Sequence, residues 1–484
     1  MKILSVASEI FPLIKTGGLA DVTGALPKIL GHLGCETRSL IPGYPTVLAK
    51  VEQVRPVHFF SDLFGAPATL LEAQHDGLDL LILDAPSLYD RKGGPYVGAD
   101  GVDYPDNWRR FSVLSYVASA VAGGLLPDWR PDLVHTHDWQ TALTTVYMKY
   151  SGNAADVPSV LTIHNLAFQG QFPAKLIRQI GLPPEAMNIN CLEYYGDLCF
   201  LKGGIQTASA VTTVSPTYAR EVLSTDLGMG LDGALLSRLR DFSGIVNGID
   251  TEIWDPATDP YIPANYDYKQ IRLRQRNRAA LIDAFRLDNT PGPIFAAVTR
   301  LTWQKGADML AEVADEICNL GGKLVILGQG SKDVERALIL AAGWRPGQIG
   351  VRIGYDEATA HLIHAGCDVM VQPSRFEPCG LTQLYALRYG AVPLVSRTGG
   401  LSETIIDAND AAMSARVATG FQFHPVTADN LRLAVHRAFH AYRDPKKWAR
   451  LQNQGMKANF SWERSAEQYA ALYERLIAQR PSAL

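Results

Sequence analysis

Four short stretches of the chain bring together residue types that can do chemistry. The first, Lys15-Thr16-Gly17-Gly18-Leu19-Ala20-Asp21-Val22, follows an apolar run and opens a helical pattern. Adjacent glycines let a backbone approach a ligand, a helix start turns free N–H groups outward, and Lys15 adds a full positive charge there. That is the chemistry of a phosphate cradle, with Asp21 in the first helical turn. The spacing matches neither G-x-x-x-x-G-K-[ST] nor G-x-G-x-x-G, so P-loop and dinucleotide-fingerprint readings are excluded. The second stretch, Arg300-Leu301-Thr302-Trp303-Gln304-Lys305-Gly306, sets two permanent cations at the carboxyl end of an apolar run. Open α/β sheets bind ligands at such ends, and the pair can neutralise a leaving diphosphate.

The third stretch runs from Pro373 to Thr382 and carries Glu377 to the end of another apolar run. Pro378 and Gly380 stiffen the turn, leaving the N–H groups of Gly380, Leu381 and Thr382 open to hydroxyls or phosphate. A carboxylate so placed can grip a sugar or stabilise positive charge at an anomeric carbon. Cys379 has no His or Lys adjacent in sequence to activate its thiol, and reads as packing beside the site. The fourth element is a pair of strand ends, His135-Thr136-His137-Asp138-Trp139-Gln140 and Thr162-Ile163-His164-Asn165. No third ligand follows the histidines at zinc spacing, and the chain has no Asp-x-Asp to hold a divalent ion, so no metal is expected. Asp138 and His164, with Trp139, Phe168 and Tyr96 nearby in type, read better as a carbohydrate surface; His135 reads as structural.

These groups need rigid elements behind them. Short apolar runs alternate with longer helical patterns along all 484 residues, as parallel strands covered by helices do. Strands are expected at Ile3–Ser8, Glu36–Ile41, Leu80–Leu83, Asp132–His135, Ser159–Ile163, Val211–Val214 and Gly244–Val246. A second set is expected at Ile294–Thr299, Lys323–Leu327, Val351–Ile353, Asp368–Gln372 and Val392–Ser396, implying two α/β domains. The segment Asn247 to Pro293 has the Asp-Pro and Pro-Gly-Pro composition of a boundary. Arg397-Thr398-Gly399-Gly400-Leu401-Ser402-Glu403-Thr404 echoes the Lys15 octet, suggesting related domains that each offer a helix N-terminus to one cleft.

Composition narrows the rest. With 47% apolar and 19% charged residues the chain falls in the soluble globular class. A net charge of -4 supplies no reservoir of positive charge for a nucleic-acid backbone or an anionic membrane. The charge-free stretch Phe111 to Pro127 is short and holds serines, which fits a buried helix. The six cysteines form no C-x-x-C pair, and a reducing cytoplasm fits them best. An oligomeric state is not set by the sequence.

With those residues in view, the chain resembles the ADP-glucose-dependent bacterial glycogen synthase and plant starch synthase family. Lys15-Thr16-Gly17-Gly18-Leu19, His164-Asn165, Arg300 with Lys305, Phe376-Glu377-Pro378-Cys379-Gly380-Leu381 and Thr398-Gly399-Gly400-Leu401 occur in the family's order nearly end to end. The resemblance implies two Rossmann-like doubly wound domains facing across a cleft, the GT-B architecture, at residues 1–245 and 246–455, with residues 456–484 returning to the first domain. It implies metal-free, retaining transfer of glucose from ADP-glucose to the non-reducing end of a glycogen or maltooligosaccharide chain. Lys15 and the helix at Gly18 would then face diphosphate and glucose, Arg300 and Lys305 would neutralise the diphosphate, Tyr355 would stack on adenine, and Glu377 would hold the glucose. His164, Asp138, Asn247 and Tyr96 would meet donor sugar or acceptor glucan. Retaining enzymes of the wider clan carry a second glutamate eight positions after the first, where this chain has Tyr385, so their carboxylate grip on ribose does not transfer. Spacing alone leaves open a related transferase with another nucleotide or acceptor. It also leaves open a glucan-binding scaffold, against which the intact Lys15, Arg300, Lys305 and Glu377 argue.

Overall fold

The computed structural model describes residues 1–150 and 152–480. They form two compact units, one of residues 1–248 completed by the helix that starts at Trp462, the other of Ile249–Ser461.

In the second unit six strands lie parallel among the described residues, in the order Ile349–Ile353, Lys323–Gly328, Ile294–Val298, Val369–Gln372, Val392–Ser396, Phe421–Phe423. Numbered along the chain this is 3-2-1-4-5-6, the doubly wound order, whose direction reverses between Ile294–Val298 and Val369–Gln372. Ile-Phe-Ala-Ala-Val reads as a continuous apolar run because helices cover both faces, and every residue of it is buried.

The first unit has the same logic with additions. Among the described residues its main sheet has nine strands, and chain direction reverses between Lys2–Val6 and Leu133–His137. Glu36–Pro42 and Leu78–Asp84 continue parallel on one side; Ser159–Ile163, Ala210–Thr213 and Phe242–Gly244 continue on the other. The expected all-parallel pattern is incomplete: Ala68–His75 and Glu52–Phe60 add an antiparallel margin. Glu52–Phe60 is half in solvent with Pro56 inside it, so it has no apolar run to read, and a proline is tolerated at an edge. Of the charge-free stretch, Phe111 to Ala122 lies in the largely buried helix Asn107–Ala122 and the rest in the turns that follow, and no helix among the described residues is long and apolar enough to cross a membrane.

The boundary reading of Asn247 to Pro293 needs correction. From Ile249 onward this segment is part of the second unit's packing. Trp254 is sandwiched between His361, with ring centroids 3.9 Å apart, and Tyr385, at 3.7 Å and nearly parallel. Asp259 accepts hydrogen bonds from Tyr389 Oη (2.6 Å) and from His361 Nδ1 (2.8 Å), all fully interior. Its Asp-Pro turns shape a folded strap, not a linker.

The final helix, Trp462–Ala478, belongs to the first unit. Trp462, Tyr469, Tyr473 and Leu476 fall on one face at helical spacing and share an apolar cluster with Ile3, Val22, Leu26 and Leu133. Ser465 Oγ caps the carbonyl of Val246 at 2.6 Å.

Candidate active site

In the second unit the reversal point of the sheet collects two of the chemically promising stretches. The loop after Ile294–Val298 carries Arg300 and Lys305; the loop after Val369–Gln372 carries Glu377. Lys305 Nζ donates to both Glu377 carboxylate oxygens, at 2.7 and 2.6 Å, and Ser374 Oγ adds a third bond at 2.9 Å. Glu377 is only 4% exposed. A buried carboxylate is tolerated because it is paired and hydrogen-bonded. The loops are stapled by a residue with no role assigned from sequence: Arg375 forks onto Asp308 at 2.7 and 2.6 Å and donates to the carbonyl of Trp303 at 2.7 Å. Gly306 adopts φ +65°, and a Cβ there would lie 2.0 Å from the Pro373 carbonyl oxygen, so only glycine lets the loops close up. Arg300 is exposed and makes no side-chain hydrogen bond or ion pair among the described residues. Tyr355, 55% exposed after Gly354, donates its hydroxyl to Glu357 at 2.5 Å.

The two glycine octets do not do the same job. Gly17 has φ -158° and open space where a Cβ would go, so neither conformation nor packing demands glycine there. At Gly399, φ is +43° and a Cβ would meet the Glu377 carbonyl oxygen at 1.9 Å; at Gly400 it would meet that of Cys379 at 2.3 Å. The Gly400 N–H already donates to the carbonyls of Glu377 and Pro378, at 3.1 and 3.2 Å. The two octets therefore differ in what their glycines do: this glycine pair is a seat for the Glu377 loop, and the Gly400 N–H is spent on that seat. Cys379 is buried above it, and Gly380 (φ +74°), Leu381 and Thr382 are half-buried where the next helix begins.

In the first unit the reversal point collects the other two stretches. Past Lys2–Val6 the chain runs through Ser8 and Glu9 to the Lys15 loop and the helix Gly18–His32. Lys15 Nζ is held at 2.8 Å by Asp21 in that helix's first turn. Glu9, 2% exposed, accepts from Thr16 Oγ1 at 2.6 Å and also from the Thr16 N–H and the Tyr96 hydroxyl. Ser8 Oγ lies 2.8 Å from that same hydroxyl. The Tyr96 hydroxyl is thus engaged inside the protein, and any sugar contact falls to its ring. Reading the sequence missed Glu9; the available signal was an acid three positions beyond an apolar strand.

After Leu133–His137, Asp138 takes the left-handed conformation (φ +58°) and accepts from the N–H groups of His164 (2.7 Å) and Asn165 (3.4 Å), tying two strand ends together. Burial pushes its carboxyl up to about 7 against the lowering effect of those N–H bonds. His137 Nδ1 and His164 Nε2 lie 3.0 Å apart, and His135 sits between Thr162 Oγ1 and Tyr473 Oη of the final helix, at 2.7 Å each. Burial drives His135 and His164 down to about 3, and His137 well below its ordinary value, so the three imidazoles are neutral. Asn247 is buried and its Oδ1 has no partner among the described residues. No group of three or more His, Cys, Asp or Glu among the described residues could hold a metal ion.

The starch synthase catalytic domain profile matches residues 2–237, and that of glycosyl transferases group 1 matches residues 281–457. Glycogen synthase 1 of Rhizobium meliloti is 60% identical over 99% of this chain and 100% of its own length, and glycogen synthase of Rhizobium johnstonii 58% over the same shares. Among solved structures, the catalytic domain of starch synthase IV from Arabidopsis thaliana, bound to ADP and acarbose, superposes with a TM-score of 0.91 at 32% identity over 99% of each chain. Sucrose-phosphate synthase from Thermosynechococcus elongatus shares the fold alone, at a TM-score of 0.60 and 17% identity over 99% of each chain. Two doubly wound α/β units, a buried lysine–glutamate pair at one switch point and full-length identity of this order have one meaning: the chain belongs to the bacterial glycogen synthase family of retaining glycosyltransferases.

Proposed function

We propose that this chain transfers glucose from ADP-glucose to the non-reducing end of an α-1,4-glucan, with retention of configuration and release of ADP, through the residues gathered at its two switch points. The observation that carries the reading is the Lys305–Glu377 pair, formed by the same loop that carries Arg300, whose side chain has no partner among the described residues. During transfer the anomeric carbon gains positive charge while the departing phosphate oxygen gains negative charge. Arg300 takes the departing charge directly. Lys305, already pledged to Glu377, orients that carboxylate toward a glucose hydroxyl and lends the diphosphate what charge remains.

Because Glu377 has both oxygens engaged, it is a poor covalent nucleophile. The acceptor hydroxyl therefore attacks on the face the phosphate leaves: its oxygen bonds to the anomeric carbon, the carbon–phosphate-oxygen bond breaks, and the hydroxyl proton passes to the departing phosphate. The backbone around Cys379, Gly380, Leu381 and Thr382 meets hydroxyls or phosphate, and the exposed ring of Tyr355 stacks on the adenine. In the first unit Lys15, Gly18 and Asp21 meet donor charge and sugar; Asp138, His164, Tyr96 and Asn247 meet sugar or glucan. The unpartnered Asn247 Oδ1 suits a sugar hydroxyl. The starch synthase IV neighbour holding ADP and acarbose supports both kinds of substrate. No metal step is invoked, because arginine and lysine supply the positive charge. Six buried free thiols suit a reducing cytoplasm.

A coupled assay of ADP release decides the matter. Release from ADP-glucose should depend on glycogen, exceed release from UDP-glucose, and persist with a chelator. A chain that releases no nucleotide with glucan present, or that stops when chelated, would overturn the reading.

A further inference from the structure

We infer that Glu9 is the positioning residue of the Lys15 loop, an assignment that rests on the role given above to Lys15. Glu9 is buried, and no cation lies within ion-pair distance of it among the described residues. A buried carboxylate with no countercharge is costly unless donors satisfy it. Here three donors converge on it: the Thr16 N–H, the Thr16 hydroxyl and the Tyr96 hydroxyl. Two of them come from the residue that follows Lys15. Charge-assisted bonds of this kind are shorter and about twice as strong as neutral ones.

The far side of the arrangement is equally fixed. Tyr96 is held by its backbone as well, since Asn107 Nδ2 donates to its carbonyl at 3.0 Å. Arg110, 1% exposed, donates to the carbonyls of Pro95 (2.8 Å) and Leu88 (2.9 Å) and to Asn107 Oδ1 (2.7 Å). The segment bearing Tyr96 is a rigid post, and Glu9 ties the Lys15 loop to it. Thr23 Oγ1 donates to the Glu9 carbonyl at 2.7 Å, which anchors the first helix to the same residue. Gly17, unstrained and with open space where a side chain would point, gains no anchor from packing on that side and relies on such ties for its position.

The pattern also says which substitution spares the tie. Glutamine can keep its carbonyl oxygen on the Thr16 N–H and turn its NH2 to the two hydroxyls, which can rotate to accept. Alanine loses all three bonds. Glu9→Ala should lower kcat/KM by about 100-fold, the scale of an ångström-sized misplacement of a binding group. Glu9→Gln should keep at least about ten times the activity of Glu9→Ala and show the same pH profile as the parent, as geometry without proton transfer requires. If Glu9→Gln falls as far as Glu9→Ala, Glu9 acts by charge or proton transfer and the inference is overturned.

A double-mutant cycle with Lys15→Ala separates this from the underlying reading. Lys15→Ala alone should cost activity; if it does not, the role of Lys15 fails, whatever Glu9 does. If it does, but costs as much again in the Glu9→Ala background, Lys15 does not depend on Glu9 and the inference fails. Should Glu9→Ala lack a cooperative unfolding transition, the cycle is run with Thr16→Val, which removes one of the three bonds. A smaller loss that does not add to that of Lys15→Ala supports the tie, and full additivity overturns it.

Discussion

Lys305 meets Glu377 with its ammonium shared between both carboxylate oxygens, at 2.7 and 2.6 Å, and the acid almost wholly out of solvent. Breaking such a pair from one side leaves a buried charge uncompensated, at about 3–5 kcal/mol. Lys305→Ala and Glu377→Ala should each lower kcat by orders of magnitude. Lys305→Ala should also lower the thermal midpoint more than the double variant Lys305→Ala/Glu377→Ala, as calorimetry on the three proteins would show. A single variant no less stable than the double would mean the pair carries no buried charge.

Arg300 makes the opposite prediction. It is exposed and unpaired among the described residues, so its loss should leave stability within about 0.5 kcal/mol. A lost transition-state donor should nonetheless reduce kcat by about 100-fold or more. Steady-state kinetics beside a melting curve tests both halves; a fall in stability matching the fall in rate would assign Arg300 to structure.

Asp138 gives a dependence on pH. Its carboxyl titrates near 7 in the folded protein and near 3.8 ordinarily, so between those values the folded state binds more protons and stability falls as pH rises. The neutral histidines act in reverse: their burial is opposed as pH falls below about 6.5, where the unfolded chain protonates. Comparing the protein with Asp138→Asn cancels the histidines. The stability advantage of aspartic acid over asparagine should shrink from pH 4 to pH 7 in urea titrations, and a constant difference would deny the raised carboxyl.

Tyr385 stands where related enzymes of the clan have a glutamate, and its ring lies flat against Trp254, centroids 3.7 Å apart. Tyr385→Glu would set a carboxylate in an aromatic sandwich. We expect a fold destabilised by about 3 kcal/mol or more, the scale of losing a buried aromatic, with no gain in affinity for the nucleotide. Isothermal titration with ADP, beside a denaturation curve, measures both; tighter ADP binding at unchanged stability would refute it.

Much of this was legible beforehand. Runs such as Ile294–Val298 and Ser159–Ile163 announce buried parallel strands because both faces are covered, and the residues that follow Ile294–Val298 inherit a switch point. Glu52–Phe60 was illegible because an edge strand has no need of an apolar run. Glu9 was illegible for another reason: its partners Thr16 and Tyr96 are near it only in space. Gly399-Gly400 looked like Gly17-Gly18 because a sequence records that glycine is required and not whether backbone crowding or an approaching ligand requires it. The neutrality of His135, His137 and His164 follows from burial, which residue type does not disclose.

The return of Trp462–Ala478 to the first unit bears on how the chain is made. The ribosome delivers those residues only after all of residues 249–461. At about 5–20 residues per second that interval lasts tens of seconds. Throughout it the apolar surface of Ile3, Val22, Leu26 and Leu133 has no cover, and His135 waits for the hydroxyl of Tyr473. The first unit, though synthesised before the second, is therefore completed only after it, and a nascent chain that stalls before Trp462 exposes a sticky, incomplete half to the chaperones and proteases around it.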